Sequence, residues 1–126
     1  MLIKNGLIFN SETGRFDSKN IVVEDGVITD IGAIVKYDGE VIDVGRARVI
    51  PGLVDVHTHG RGGFDFISCS EDELHTLSES YAKCGVTCVM PTLASAPFDD
   101  MLLAADRINK FSPGEKSSSF CGVHLE

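Results

Sequence analysis

Positive charge is scarce in this chain. Across 126 residues, 11 Lys and Arg face 19 Asp and Glu, a formal charge of −8 at pH 7. Such a balance repels phosphate backbones, and no local basic patch offsets it, so no nucleic-acid partner is expected. Long hydrophobic runs are also missing: nothing approaches the roughly 18 apolar residues of a membrane-spanning helix. The start, Met1-Leu-Ile-Lys-Asn-Gly6, lacks the basic and then apolar segments of a secretory signal. A cytoplasmic protein without a membrane partner is the expectation. Four cysteines, Cys69, Cys84, Cys88 and Cys121, are too irregularly spaced for a disulfide framework. Cys84 and Cys88 also miss the Cys-x-x-Cys hook of a zinc ribbon, so all four are read as small buried or half-buried residues.

With 43% hydrophobic residues, the length suffices for one modest core or two small ones. Residues 1–49 read as short strands: Leu2 to Phe9, Ile21 to Glu24, Val27 to Ile31, Val41 to Val44 and Arg48 to Ile50. Asp25-Gly26 supplies a hairpin turn between the second and third, and polar Asn10 to Asn20 reads as an exposed loop.

From Pro51-Gly52 the character changes. An apolar strand ends in two histidines, and a glycine loop follows. Ser70-Glu-Asp-Glu73 then opens a helix with a capping box, which carries Leu74, Leu77 and Tyr81 at helical spacing and stops at Gly85. A short strand, Val86 to Met90, precedes a second helix from Pro97 to Phe111 with Met101, Leu102, Ala105 and Ile108 as its buried stripe. Phe120 to Glu126 closes as a third strand. Strands alternating with helices predict a parallel α/β arrangement, with chemistry at the carboxyl ends of the strands.

Val49-Ile-Pro-Gly-Leu-Val-Asp-Val-His-Thr-His-Gly60 is the most informative stretch. Strand alternation puts Leu53, Asp55, His57 and His59 on one face, so two imidazoles about 7 Å apart approach one ion from the same side. Asp55 would orient an imidazole or stay ion-paired beneath the site. Glu126, at the end of the third strand, would meet the histidines over one rim; by position alone it is a solvated terminal charge. His-x-His is also an ordinary cap of a buried strand, so the pattern by itself leaves metal binding open. Arg61 either fixes the glycine loop or meets a phosphate. His75 reads as a surface residue, His124 as support for the site in preference to a ligand, and Met90 and Met101 as core filling.

Pro51-Gly-Leu-Val-Asp-Val-His-Thr-His-Gly60 resembles the first barrel strand of the amidohydrolase superfamily. Three further motifs narrow the resemblance: His59-Gly-Arg-Gly-Gly63 followed by Asp65-Phe66, Gly85-Val-Thr-Cys-Val-Met-Pro-Thr-Leu-Ala94, and Gly122-Val-His-Leu-Glu126. Together they resemble the N-acetylglucosamine-6-phosphate deacetylases, collinearly over residues 50–126, and the β-rich start resembles that family's amino-terminal layer. The resemblance implies an α/β fold: the first three strand-helix units of a TIM-like barrel (50–126) preceded by a small β-sandwich layer (1–49). It implies His57, His59 and Glu126 as ligands of a divalent metal (zinc, iron, manganese or cobalt), with Glu126 bridging two ions in a complete enzyme. It also implies an amino-sugar phosphate substrate and a homodimer at full length.

The family's proton-transfer aspartate, two more histidine ligands and most sugar-phosphate contacts fall in segments beyond Glu126, so the 126 residues alone are expected to be inactive, with open strand edges and uncovered apolar faces. Two alternatives remain. One is a dihydroorotase or hydantoinase type of amidohydrolase, a group that relies on a lysine from a later strand where this chain offers an acid. The other is a non-catalytic metal-binding module.

Overall fold

A computed structural model describes all residues from Met1 to Glu126, and the chain divides into two compact units, Met1–Pro51 and Gly52–Glu126. The first unit is one mixed sheet. Strands β1 (Leu2–Asn10), β2 (Arg15–Glu24) and β3 (Val27–Gly32) form an antiparallel meander, and β4 (Val41–Asp43) and β5 (Arg48–Val49) pair parallel with successive parts of β1. Asp25 and Gly26 both take positive φ, 50° and 76°, as a two-residue hairpin between right-twisted strands requires.

The expected loop from Asn10 to Asn20 is shorter in the structure. Residues 15–20 belong to β2, paired with β1 as far as Asn10↔Arg15. Hairpin pairing outweighs the polar composition here, and the turn is tightened by Asn10, whose Oδ1 accepts the backbone N–H groups of Glu12 and Thr13. Leu2, Ile21 and Val22 are the buried apolar residues of this unit.

The second unit is α/β. Strand β6 (Leu53–Thr58) pairs parallel with β9 (Val86–Leu93), and β10 (Ser119–Phe120) and β11 (His124–Leu125) pair parallel with β9 as well. Cys88 is opposite both Val54 and Ser119, so β6 lies along one edge of β9 and β10 with β11 along the other. The single third strand expected over 120–126 is interrupted at Gly122, whose φ of 146° breaks the pairing that β11 resumes.

Helix α1 (Glu71–Ala82) begins as the capping box predicts. Glu73 N–H donates to Ser70 Oγ, Ser70 N–H donates to the Glu73 carboxylate, and Gly85 follows the helix at φ 80°. Leu74, Leu77, Ser78 and Tyr81 form its buried stripe. Helix α2 (Phe98–Lys110) buries Ala104 and Ile108, with Met101 and Ala105 packed at the margin. Leu102, expected in that stripe, is 57% exposed: the stripe runs 101, 104, 105, 108, and position 102 is turned about 100° away from it.

Phe66, Cys69, Leu74, Leu77, Tyr81, Val89, Leu93, Ala104 and Ile108 make one core between the helices and β9. Cys69 is buried and Cys88 half-buried, but Cys84 and Cys121 are exposed, against expectation; all four are free thiols. Cys84 lies beyond the last turn of α1 and Cys121 in the break between β10 and β11, outside the regular elements that bury their apolar faces. Val54, Val56 and Leu125 stand open at 59–62% exposure, and Leu102 and Leu103 on α2 are similarly open. These are the uncovered apolar faces the sequence predicts. No helix is long and apolar enough to cross a membrane.

Candidate metal centre

Strands β6 and β11 run in the same direction on opposite sides of β9, so both end at one rim. His57 lies in the last turn of pleat of β6 and His59 directly after it, while Glu126 directly follows β11. The three side chains converge: His59 Nε2 is 3.0 Å and His57 Nε2 3.5 Å from the same oxygen, Glu126 Oε2. All three donor atoms lie within 4.8 Å of one another. The side chains are 42–53% exposed, leaving the cluster open to solvent on one side.

This donor set fits a divalent cation. Two ligand atoms at about 2.1 Å from an ion are separated by about 3.0–3.4 Å in octahedral or tetrahedral geometry; the His59 distance of 3.0 Å lies in that range and the His57 distance of 3.5 Å just beyond it. Two imidazoles and a carboxylate suit zinc, iron, manganese or cobalt better than calcium or magnesium, which prefer oxygen alone.

The backbone around His59 is held firmly. Its carbonyl accepts the N–H of Phe66 at 2.9 Å, and the Phe66 ring is 1% exposed, stacked on Tyr81 and edge-on to Phe120. Between them, β7 (Gly60–Arg61) and β8 (Phe64–Asp65) form a small antiparallel ribbon. Gly60 sits at φ 135°, and a Cβ there would lie 2.1 Å from the Phe64 carbonyl oxygen, so only glycine fits. Asp65 caps the next turn by accepting the Ile67 N–H at 2.9 Å.

Thr58, between the histidines, turns to the helix side, where its hydroxyl is 2.6 Å from the Tyr81 hydroxyl. Burial pushes the Tyr81 phenol up, more than the hydrogen bond with Thr58 lowers it, so it stays neutral in the physiological range. Thr92, fully buried on β9, accepts the Thr58 N–H and hydrogen-bonds His124 Nδ1, each at 3.2 Å.

One expectation changes and three hold. Asp55 neither orients an imidazole nor forms an ion pair: its Oδ1 accepts the backbone N–H of His57 at 3.2 Å. The strict alternation that grouped it with the histidines is broken, because β6 advances from Asp55 to Thr58 while β9 advances only from Val89 to Pro91. Arg61 is committed to α1. Its Nη1 donates to the Ser80 carbonyl at 3.1 Å and to Cys84 Sγ at 3.2 Å, with the guanidinium 5.3 Å over the Tyr81 ring, so it fixes the loop. His75 is exposed against Phe111, and His124 sits edge-on to His57 at 5.0 Å without joining the three donors. Sequence reasoning missed Thr58, Tyr81, Thr92 and Phe66 as supports. The one available signal was a polar residue at the end of each of two apolar strands, Thr58 and Thr92.

No protein-family model matches the chain. An N-acetylglucosamine-6-phosphate deacetylase of Vibrio furnissii is 33% identical over 113 residues, covering 82% of this chain and 28% of that enzyme. A solved N-acetylglucosamine-6-phosphate deacetylase from Pasteurella multocida superposes with a TM-score of 0.84 over 98% of this chain and 33% of its own, a likeness of fold at 23% identity. The chain is a relative of the N-acetylglucosamine-6-phosphate deacetylases. Dihydroorotases are further amidohydrolase relatives of this deacetylase-like chain: that of Ligilactobacillus salivarius is 39% identical over 103 residues, 76% of this chain and 23% of that enzyme. The chain spans between about a quarter and a third of the length of these relatives.

Proposed function

We propose that the chain is part of a metal-dependent hydrolase that removes acetate from N-acetylglucosamine-6-phosphate, with His57, His59 and Glu126 as ligands of a divalent cation. The observation that carries this reading is the approach of both imidazole Nε2 atoms to one oxygen of Glu126 across β9. A cation held there supplies Lewis-acid polarisation of an amide carbonyl and a water acidified toward neutrality. The chain's own residues do the holding. Neutral imidazoles offer ring-nitrogen lone pairs, the carboxylate offsets positive charge, and the anchored His59 carbonyl limits how far the second imidazole can wander.

In the same reading, residues 1–49 are part of an amino-terminal β-sandwich layer and residues 50–126 the opening strand-helix units of a TIM-like barrel. The complete protein is then a cytoplasmic homodimer acting on an amino-sugar phosphate. The higher identity to a dihydroorotase favours a second reading, a cyclic-amide hydrolase. The acidic donor at the end of the third strand supports the deacetylase instead, since the dihydroorotase type relies on a lysine from a later strand.

Metal analysis of the purified chain tests the site. The wild type is expected to retain about one equivalent of zinc or manganese after gel filtration, with His57→Ala and His59→Ala each losing most of it. Unchanged metal content in both variants would overturn the assignment. Because the chain spans only part of its relatives, no metal-dependent release of acetate from N-acetylglucosamine-6-phosphate is expected from these 126 residues alone.

A further inference from the structure

The rim that gathers the three donors is weakly specified by the backbone. β6 and β11 do not pair with each other, and each is held only by β9. The β6 register slips between Asp55 and Thr58, directly beneath His57 and His59, so the ladder does not fix how far the two imidazoles stand from Glu126. At this level a side chain replaces the ladder. Thr58 N–H, between the two histidines, donates to Thr92 Oγ1 at 3.2 Å, and the same oxygen is 3.2 Å from Nδ1 of His124, two residues before Glu126. Thr92 is fully buried, with its backbone in the strand between the two donor-bearing segments.

We propose that Thr92 is a positioning residue: its one hydroxyl ties the histidine-bearing strand to the glutamate-bearing strand and so sets the donor spacing of the metal site. A backbone N–H can only donate, so Oγ1 accepts from Thr58 and its own proton is free for His124 Nδ1. One buried atom thereby has a bond to each side of β9, and removing it orphans a partner on each side. The inference rests on the metal reading above and adds to it the group that holds the ligands in register.

Cobalt(II) titration of the full 126-residue chain, followed by visible absorption, tests it with Thr92→Val and Thr92→Ser. Valine keeps the shape and loses the hydroxyl, so cobalt affinity is expected to fall by about 10- to 100-fold with a changed absorption envelope, while serine stays within about threefold of wild type. Thr92→Val binding as tightly as wild type with the same spectrum would overturn the inference alone. Serine falling as far as valine would also overturn it, because keeping the hydroxyl would then not keep the affinity. If Thr92→Val does not fold, His124→Leu against His124→Asn decides: asparagine keeps a polar atom near the Nδ1 position and should retain affinity that leucine loses, and equal affinities would refute the tie. A wild-type chain that takes up no cobalt would bring down the metal reading and this inference together.

Discussion

Phe66 shows how a residue with no chemistry of its own can govern a site. Its backbone N–H holds the His59 carbonyl, while its ring fills the core between Tyr81 and Phe120. Truncating such a ring costs about 3–5 kcal/mol, from lost transfer energy and the cavity left behind. Phe66→Ala is therefore expected to shift the urea midpoint of unfolding strongly and to loosen His59 even where folding survives, visible as weaker metal retention in the surviving native fraction. Gly60, one residue beyond His59, has no tolerant substitute because conformation and space both exclude a Cβ. At this scale the histidine pair was legible as candidate donors, since strand ends and donor type are local properties, whereas Glu126 read by position alone as a solvated charge and joined them only through the family resemblance. Asp55 was misread because its role follows from a register slip that no periodicity count reveals. Thr92 was invisible for a related reason: its partners belong to segments 34 and 32 residues away, which only the parallel pairing brings together.

Helix α1 is the element most fully written in the sequence, because a capping box and a repeating apolar stripe are both short-range signals. The cap also makes a pH prediction. Hydrogen bonds from the Ser70 backbone and hydroxyl hold the Glu73 carboxyl below its ordinary value. The folded-state value thus lies under that of the unfolded chain, so the cap's contribution is complete above the unfolded value and is lost as pH falls through the folded one. Thermal midpoints should therefore decline on acidification through the carboxylate range, and the decline should be shallower in Glu73→Gln, which cannot ionise. Equal slopes in the two proteins would mean the cap charge does not stabilise the fold. Along the same helix, Leu77 has no exposed surface, and Leu77→Ala should cost about 2–5 kcal/mol by denaturant unfolding. Helix α2 was less legible than α1: six apolar residues from Phe98 to Ala105 offer more than one stripe, and packing against β9 decides which side is buried. The stretch from Asn10 to Asn20 failed differently, because its strand character comes from its partner β1 and not from its own composition.

For the chain as a whole, alternation of strands and helices sufficed to read the second unit as parallel α/β. What alternation did not supply was how much of that sheet would remain uncovered. β6 pairs with β9 alone, and Val54 and Val56 on it are 59% and 62% exposed, beside unpaired backbone groups along its outer edge. An open strand edge bearing β-branched side chains is a template for another chain. The 126-residue protein is thus expected to self-associate as concentration rises, with sedimentation coefficients increasing over the micromolar range. The double substitution Val54→Lys with Val56→Lys places charge on that edge, where an incoming strand would have to bury it, and should return the protein toward a single monomeric boundary. Both residues are open to solvent and lie outside the core cluster, so the unfolding midpoint should move little. If association persists undiminished in the double variant, the attracting surface lies elsewhere, and the exposed Phe98, Leu102 and Leu103 face of α2 is the one to substitute next.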